Sequence, residues 1–442
     1  MHSQRDSHTS FTACSDCDLL VSFTEVKAGY SVLCPRCGKK IHKKTKDSIA
    51  KTLALSVTGL LLYLPAITLP LMTFKSFGFS DSANILESIL NFYRNDYYLV
   101  AVMVLLSAVV FPLVLLSGIF FISQQLYRKR YSPSLAKIFR IYEHLEEWAM
   151  VEVYLLGIMI TVIKMNGTSD IQYHPGIFCF TALVLITLTL STIIDRDLFW
   201  KTIENSAAEN KKLSFADNDA GTAPISAAAR GLILCRICHL LSPSTLAGKG
   251  CPRCGERLHV RKPMSFSSTW ALIITSVIFL APANLLPIMR VDFLGIPDRS
   301  TILDGIIYFF HNGSYLIGLI IFAASILVPV FKIVGLAILL STRRPCKEHF
   351  LKQKTRMYRF IAFVGRWSML DIFVISLLSV LVDFGFFTSI HAAPAATYFC
   401  IVVASTMFAA ITFDPRIMWD ICGPCDTAIA DPEPPTSFEK TS

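Results

Sequence analysis

Cys34-Pro35-Arg36-Cys37-Gly38 returns as Cys251-Pro252-Arg253-Cys254-Gly255, an offset of 217 residues, and this return sets the register of the whole chain. Each knuckle has an upstream partner, Cys14-Ser15-Asp16-Cys17 in the first copy and Cys235-Arg236-Ile237-Cys238 in the second. Two CxxC pairs separated by a dozen or more residues form the ligand spacing of a four-cysteine zinc site. At the same offset Pro65-Ala66-Ile67-Thr68-Leu69-Pro70 falls on Pro282-Ala283-Asn284-Leu285-Leu286-Pro287, His42 on His259 and Pro112 on Pro329. Further on, an offset of 219 pairs Trp148 with Trp367, Glu152 with Asp371, Asp195 with Asp414 and Trp200 with Trp419. The chain is a duplication, and two equivalent halves are expected.

Composition places it in a membrane. Of 442 residues 53% are hydrophobic and 17% charged, and the mean hydropathy is +0.54, outside the range of soluble domains. The net charge of +9 sits in short basic blocks at the ends of apolar runs, which argues for topology signals and lipid headgroups and against nucleic acid. Eight of the thirteen cysteines form the two quartets. Flanked by lysine and arginine, they read as reduced, metal-bound thiols on the cytoplasmic side.

In order, residues 1–48 read as an N-terminal zinc ribbon with no preceding signal peptide. Residues 49–200 form a first four-helix transmembrane bundle, 201–230 a flexible linker, 231–262 a second zinc ribbon, 263–416 a second four-helix bundle, and 417–442 a disordered cytoplasmic tail. The fold class is an all-α polytopic membrane protein of two tandem repeats, each a cytoplasmic zinc ribbon followed by four spans. The eight spans fall near 50–72, 98–123, 149–165, 176–194, 266–289, 315–341, 367–383 and 395–413. Lysine and arginine concentrate in 39–51, 128–140, 196–262 and 343–366, so both ribbons and both termini are expected in the cytoplasm. The ribbons have so few apolar residues that the metal should supply about 10 kcal/mol or more of their folding free energy.

The candidate metal ligands are Cys14, Cys17, Cys34, Cys37, Cys235, Cys238, Cys251 and Cys254. Four thiolates saturate a tetrahedral ion and leave no position for substrate, so two structural zinc ions and no catalytic role are expected. His42 and His259 read as surface residues beside the knuckles. Cys422-Gly423-Pro424-Cys425 spells a thioredoxin-type redox motif, but only seventeen residues follow it, too few for the scaffold that activates such a cysteine. The repeated pairs Pro65/Pro70 and Pro282/Pro287 can either unwind or end the first span of each half.

Polar residues inside spans are costly and ask for a reason. Ser325 and Lys332 lie seven apart on the sixth span with Pro329 between them. Ser368 and Asp371 share a face of the seventh, and Ser405 and Thr406 lie on the eighth. Lys332 and Asp371 can pair across the bundle; alternatively Asp371 sits near a helix end and Lys332 snorkels to the interface. In the first half Leu115 stands at the Lys332 position and Glu152 at that of Asp371, so the halves differ chemically.

The knuckles Cys34-Pro35-Arg36-Cys37 and Cys251-Pro252-Arg253-Cys254 combine with Pro282-Ala283-Asn284-Leu285-Leu286-Pro287, Ser325-Ile326-Leu327-Val328-Pro329 and Gly365-Arg366-Trp367-Ser368-Met369-Leu370-Asp371. Together they resemble the PqiA (paraquat-inducible protein A) family, including LetA/YebS, over nearly the whole chain. The resemblance implies a multi-pass protein of the bacterial cell inner membrane, working with a periplasmic MCE-domain partner and carrying phospholipid or other lipophilic cargo. It also implies that Ser325, Lys332, Ser368, Asp371 and Thr406 form a transport polar cluster, whereas Cys422 and Cys425 lie outside the family pattern. There is no GxxxxGK[ST] motif, which leaves a proton gradient acting on Lys332 and Asp371 as the candidate energy source. The rival readings are a membrane redox protein using Cys422/Cys425 and a structural membrane anchor for the partner.

Overall fold

The same local chemistry lays out both halves. Ser48 donates its hydroxyl to Ile193 O (2.8 Å) and accepts from the Asp195 amide (3.0 Å), tying the start of the first apolar helix to the end of the fourth. Ser265, at the equivalent position, donates to Thr412 O (2.8 Å) and accepts from the Asp414 amide (3.0 Å). These are orphaned carbonyls and amides of helix ends, and a serine satisfies one of each. The chain is described by a computed structural model over residues 10–23, 26–27, 29–76, 79–130, 132, 134–165, 170–205, 226–293, 296–311, 313, 315–341, 348–381, 388–421 and 438–440.

The apolar helices of the first half are Ser48–Thr68, Tyr98–Tyr127, Val151–Met165 and Pro175–Ile193. Those of the second half are Ser265–Leu285, residues 315–340, Leu370–Leu381 and Pro394–Thr412. Among the described residues seven helices are long and apolar enough to cross a membrane, one of them running from Glu348 through Leu377. The eighth expected span, Val151–Met165, is apolar but has only 15 residues, about 22 Å at the helical rise. Its neighbours cover one side, where Val151, Val153, Tyr154, Ile158 and Ile160 are buried, while Met159 and Ile163 stay exposed on the other.

Each first helix runs unbroken through its internal proline, Pro65 or Pro282, and stops at Thr68 or Leu285, before Pro70 or Pro287. The second proline cannot continue the ladder, so the pair ends the helix and no unwound stretch forms. Each second helix carries a π turn, Leu105–Val110 or Ala323–Leu327, just ahead of Pro112 or Pro329. The wider turn relieves the clash between the proline ring and the carbonyl four residues back.

Several elements were not apparent in the hydropathy pattern. Beyond the first helix of each half comes a hairpin, Met72–Ser76 with Phe79–Ala83 and Met289–Phe293 with Ile296–Ser300. A strand preceding the fourth helix, Asp170–Tyr173 or Thr388–Ala392, pairs with its first strand. Both halves thus carry a three-stranded antiparallel sheet at the end remote from the ribbons. Short helices Ile85–Arg94 and Ile302–His311 follow the hairpins, and connecting helices Ser134–Leu145 and Glu348–Gly365 precede the third span on the ribbon side.

The halves meet along their third helices. A Cβ on Gly157 would lie 3.2 Å from the Phe373 Cβ, and Tyr154 meets the Phe373 ring edge-on at 5.2 Å. Each ribbon stays tied at its base to its own half, where Thr45 N donates to Asp195 Oδ2 (3.3 Å) and Lys262 N to Asp414 Oδ2 (3.1 Å), but its cysteines pack on the other. The first packs its knuckle cysteines with Leu19 and Val21 into a cluster containing Leu351, Phe413, Met418 and Trp419 of the second half. The second ribbon, through its four cysteines and Leu258, joins the cluster holding Phe139, Phe199 and Trp200 of the first half. The apolar side chains of each ribbon, too few for a core of their own, are thus completed by the opposite half.

Two sequence expectations need correction. The segment from residue 417 does not begin as a disordered tail: Arg416–Ile421 is a helix in which Met418 and Trp419 are buried, because Trp419 donates from Nε1 to Thr355 Oγ1 (3.1 Å) and lies under the Arg36 guanidinium at 4.3 Å. Phe438–Lys440 adds a strand to Tyr30–Val32. The linker expected at 201–230 begins inside a helix, Arg196–Asn205, and its end is tied down where the Ala227 amide donates to Asp18 O (2.8 Å). Residues 206–225 lie outside the described residues, as do Cys422 and Cys425.

Candidate metal centres and a buried polar cluster

Both CxxC pairs of each ribbon sit at turns between short strands. A residue with positive φ closes each knuckle: Asp18, Gly38, His239 and Gly255. That conformation turns backbone amides inward, so that Gly38 N donates to Cys34 O (2.8 Å) and Gly255 N to Cys251 O (2.9 Å). The four sulfurs of each ribbon converge within 4.8 Å of one another. Cys14–Cys37 and Cys17–Cys34 stand 3.4 and 3.5 Å apart, and Cys235–Cys254 and Cys238–Cys251 stand 3.5 and 3.6 Å apart. A tetrahedral ion with sulfur ligands at about 2.3 Å needs sulfur–sulfur edges of about 3.8 Å, so both clusters fit a metal. All eight thiols are buried. Hydrogen bonding from Cys14 holds Cys37 down while Cys17 is driven up, and in the second site hydrogen bonding with Cys235 lowers Cys251 and raises Cys238. Four thiolates at these distances repel, and a cation resolves that conflict.

The surroundings of the two clusters follow this crossed packing. Arg359 of the second-half connecting helix donates to Asp16 Oδ2 (2.7 Å) and to Cys37 Sγ (3.0 Å), and Lys39 completes the clasp on Asp16 at 2.5 Å. Its counterpart at the 219 offset, Arg140, reaches the second ribbon from the first half. It is longer and looser there, at 3.4 Å from Cys254 O and 3.8 Å from Glu256. His42 is half-buried, stacked on Phe23 and hydrogen-bonded to Asp197, so it is no surface bystander; His259 is exposed.

Inside the second bundle, Ser325, Lys332, Ser368 and Thr406 are all buried. Lys332 has no exposed surface and donates from Nζ to Ser368 Oγ at 3.2 Å, so it does not snorkel. Ser325 and Thr406 spend their hydroxyls on their own helices, at Ile321 O (2.7 Å) and Val403 O (3.0 Å). The structure therefore brings Lys332 and Ser368 together and, among the described residues, does not join Ser325 or Thr406 to them by a hydrogen bond. The side chain of Asp371, on the turn after Ser368, lies outside the described residues. Two further hydroxyls went unremarked in the sequence. Ser276 meets Ser405 at 2.7 Å between the first and fourth helices, and Ser376 Oγ is buried without a hydrogen-bond partner among the described residues. A serine in an apolar run was the visible signal for both. Leu115 and Glu152, the first-half counterparts, are half-buried.

The sequence profile of the family described as Paraquat-inducible protein A matches residues 49–204 and again 266–422. The Intermembrane transport protein PqiA of Escherichia coli (strain K12) is 31% identical over 411 residues, covering 92% of this chain and 95% of the relative. The Lipophilic envelope-spanning tunnel protein A of the same strain is 31% identical over 411 residues, covering 93% and 91%. A Probable intermembrane transport protein of Haemophilus influenzae is 27% identical over 429 residues, covering 92% and 95%. No solved structure matches the chain.

Proposed function

The chain belongs to the Paraquat-inducible protein A family, and from that premise we propose that it is the inner-membrane subunit of an intermembrane lipid transport system. In this reading it passes phospholipid or other lipophilic molecules between the inner membrane and a periplasmic MCE-domain tunnel. The relatives' names, intermembrane transport and lipophilic envelope-spanning tunnel, support the cargo class and a partner spanning the envelope. Basic residues crowd the ribbon side, which supports ribbons and termini in the cytoplasm and the two sheets in the periplasm.

One observation carries the transport reading: a lysine with no exposed surface, Lys332, held against Ser368 within a membrane-spanning bundle. An amine at that depth costs free energy in any chain that merely needs to cross a bilayer. Lys332 in this reading takes up and releases a proton at Nζ, Ser368 positions the amine, and Asp371 on the next turn supplies the opposing charge. Ser325 and Thr406 line the same interior. Each thiolate quartet holds one zinc ion with all four positions filled, so the metal stabilises the ribbon and takes no part in transfer.

Reconstitution with the tunnel partner tests this. Transfer of a labelled phospholipid from donor vesicles should depend on the chain and respond to an imposed proton gradient. Transfer that ignores the gradient and survives Lys332→Ala would instead leave the chain as an anchor for its partner. Orientation is checked separately: Asp298→Cys, on the sheet side and exposed, should react with an impermeant maleimide from the periplasm.

A further inference from the structure

The first and second helices of the two halves approach each other differently. In the first half a Cβ on Gly59 would lie 3.0 Å from Leu116 Cδ2 and 3.4 Å from Ile186 Cγ2, so the helices close tightly through the missing side chain. At the 217 offset Gly59 becomes Ser276 and Leu116 becomes Ile333. Ser276 turns away, to Ser405 on the fourth helix, and a cleft of about 480 Å³ opens between Ser265–Leu285 and Val328–Leu340.

Its walls are two facing stripes. Trp270, Ile274 and Ile278 recur every fourth residue along one helix, and Val334, Ile338 and Ser341 line the other, with Ile333 and Ala337 beside them. Several are well exposed, Ile274 at 54%, Ile278 at 62% and Val334 at 50%. The walls are aliphatic except for Trp270 and Ser341, both at the ribbon end. From Trp270 to Ile278, and from Ile333 to Ser341, is eight residues, about 12 Å along a helix. Half of a bilayer's hydrocarbon core is about 15 Å. The cleft therefore runs from the ribbon-side interface to about the bilayer midplane, the length of one leaflet's chain region, and its volume lies within the range of small-ligand sites, about 300–1,000 Å³. Tryptophan at the mouth suits the level of the headgroups. The other faces of the second helix are occupied: Lys332 points to Ser368, and Gly335 admits Ile361 of the connecting helix.

We propose that this cleft is an acyl-chain site, holding one hydrocarbon chain of a phospholipid drawn from the ribbon-side leaflet of the second half only. The inference rests on the lipid-transport reading and adds the place and leaflet where the lipid is engaged. A bare apolar surface would bind chains equally around both halves; here the first half has closed the equivalent groove with Leu116 on Gly59.

The test uses the full chain in phosphatidylethanolamine and phosphatidylglycerol vesicles containing a phospholipid with a photoactivatable group near the end of one acyl chain. After irradiation and digestion, label should fall on residues 270–278 and 333–341 about tenfold more than on the equivalent 53–61 and 116–124. Ala337→Trp, which fills the cleft from its wall, should cut that label by about tenfold, and Ala337→Leu by less. Metal content reports that each variant is folded. Equal labelling of the two halves, or label indifferent to Ala337→Trp in a metal-loaded chain, overturns the site. Transfer to the partner is assayed separately, so a chain that transfers lipid without cleft labelling overturns this site and leaves the transport reading standing.

Discussion

The two halves share a backbone plan and divide the chemistry between them. Ser48 and Ser265 make the same pair of hydrogen bonds, the π turns precede the same proline, and the sheets have the same strand order. Where Gly59 lets Leu116 close the first bundle and Leu115 stands in place of an amine, Lys332 puts a buried amine into the second and Ser276 leaves a cleft on one side. Duplication yields two frames; one keeps the scaffold while the other is free to bear groups that cost stability. The ribbons bind the frames together, because the cysteines of each pack on the half it does not belong to while its base stays tied to its own.

The largest expected effect lies where the halves are alike. Cys34→Ser and Cys251→Ser each remove a ligand from a site worth about 10 kcal/mol or more of folding free energy. Each should lower the metal content from two ions per chain to one, read by elemental analysis, and reduce the amount of folded protein. Because the cysteines of each ribbon pack on the opposite half, Cys34→Ser should loosen the second half, with faster amide exchange in Glu348–Gly365, and Cys251→Ser the first, in Ser134–Leu145. Loosening confined to the half that carries the mutation would break the crossed packing.

Next comes the point of greatest difference. Lys332→Ala removes a buried amine and strands whatever opposes it, about 3 to 5 kcal/mol for a charge left without its partner, and lipid transfer should fall to background. Leu115→Ala at the equivalent site should leave transfer intact and cost about 1 to 2 kcal/mol of packing for a half-buried leucine, read from thermal melts.

A smaller contrast separates the two arginines. Arg359→Ala loses charge-assisted bonds to the buried Asp16 and to the Cys37 sulfur, about 1.5–3 kcal/mol, whereas Arg140, no more exposed, makes only longer contacts to a more exposed Glu256, and Arg140→Ala should cost about 0–1 kcal/mol. Metal release to a chelator should accelerate at the first site in Arg359→Ala and scarcely change at the second in Arg140→Ala.

The smallest effect is a pH dependence private to the first half. Burial pushes the Glu143 carboxyl up to about 7, Arg196 at 2.6 Å offsetting only part of the cost; the second half has Ala362 there. A raised carboxyl contributes its stability below its unfolded range, near 4.5, and loses it as the pH rises through about 7. Amide exchange in Ser134–Leu145, after division by the intrinsic base-catalysed rate, should therefore quicken between about pH 4.5 and pH 7 and level off above, and Glu143→Gln should flatten the change.

Much of this was legible because duplication prints its own alignment. The CPRCG pentapeptides, the PAxxLP segments and the spaced apolar runs carried the number of halves, the metal clusters and the approximate spans, since ligand spacing and a helix-length apolar run are local properties. The strands at 72–83 and 289–300 were hidden, because short hairpins beside an apolar helix leave no distinct hydropathy signal. Trp419 was assigned to the tail, since the residues that bury it, Thr355 and Arg36, are remote in sequence.

By itself the sequence determined that there are two halves, eight thiols in two quartets, and a lysine midway along the second span of the second half where the first half has Leu115. Tertiary structure decided which half each ribbon serves, that Lys332 meets Ser368 instead of reaching for the interface, and that one groove closes while its twin stays open. The physical reason is that ligand spacing, helix periodicity and charge bias act within a few residues. Docking partners, burial and clefts depend on side chains brought together from distant segments, where a glycine against a leucine, or a serine turned to another helix, decides the outcome.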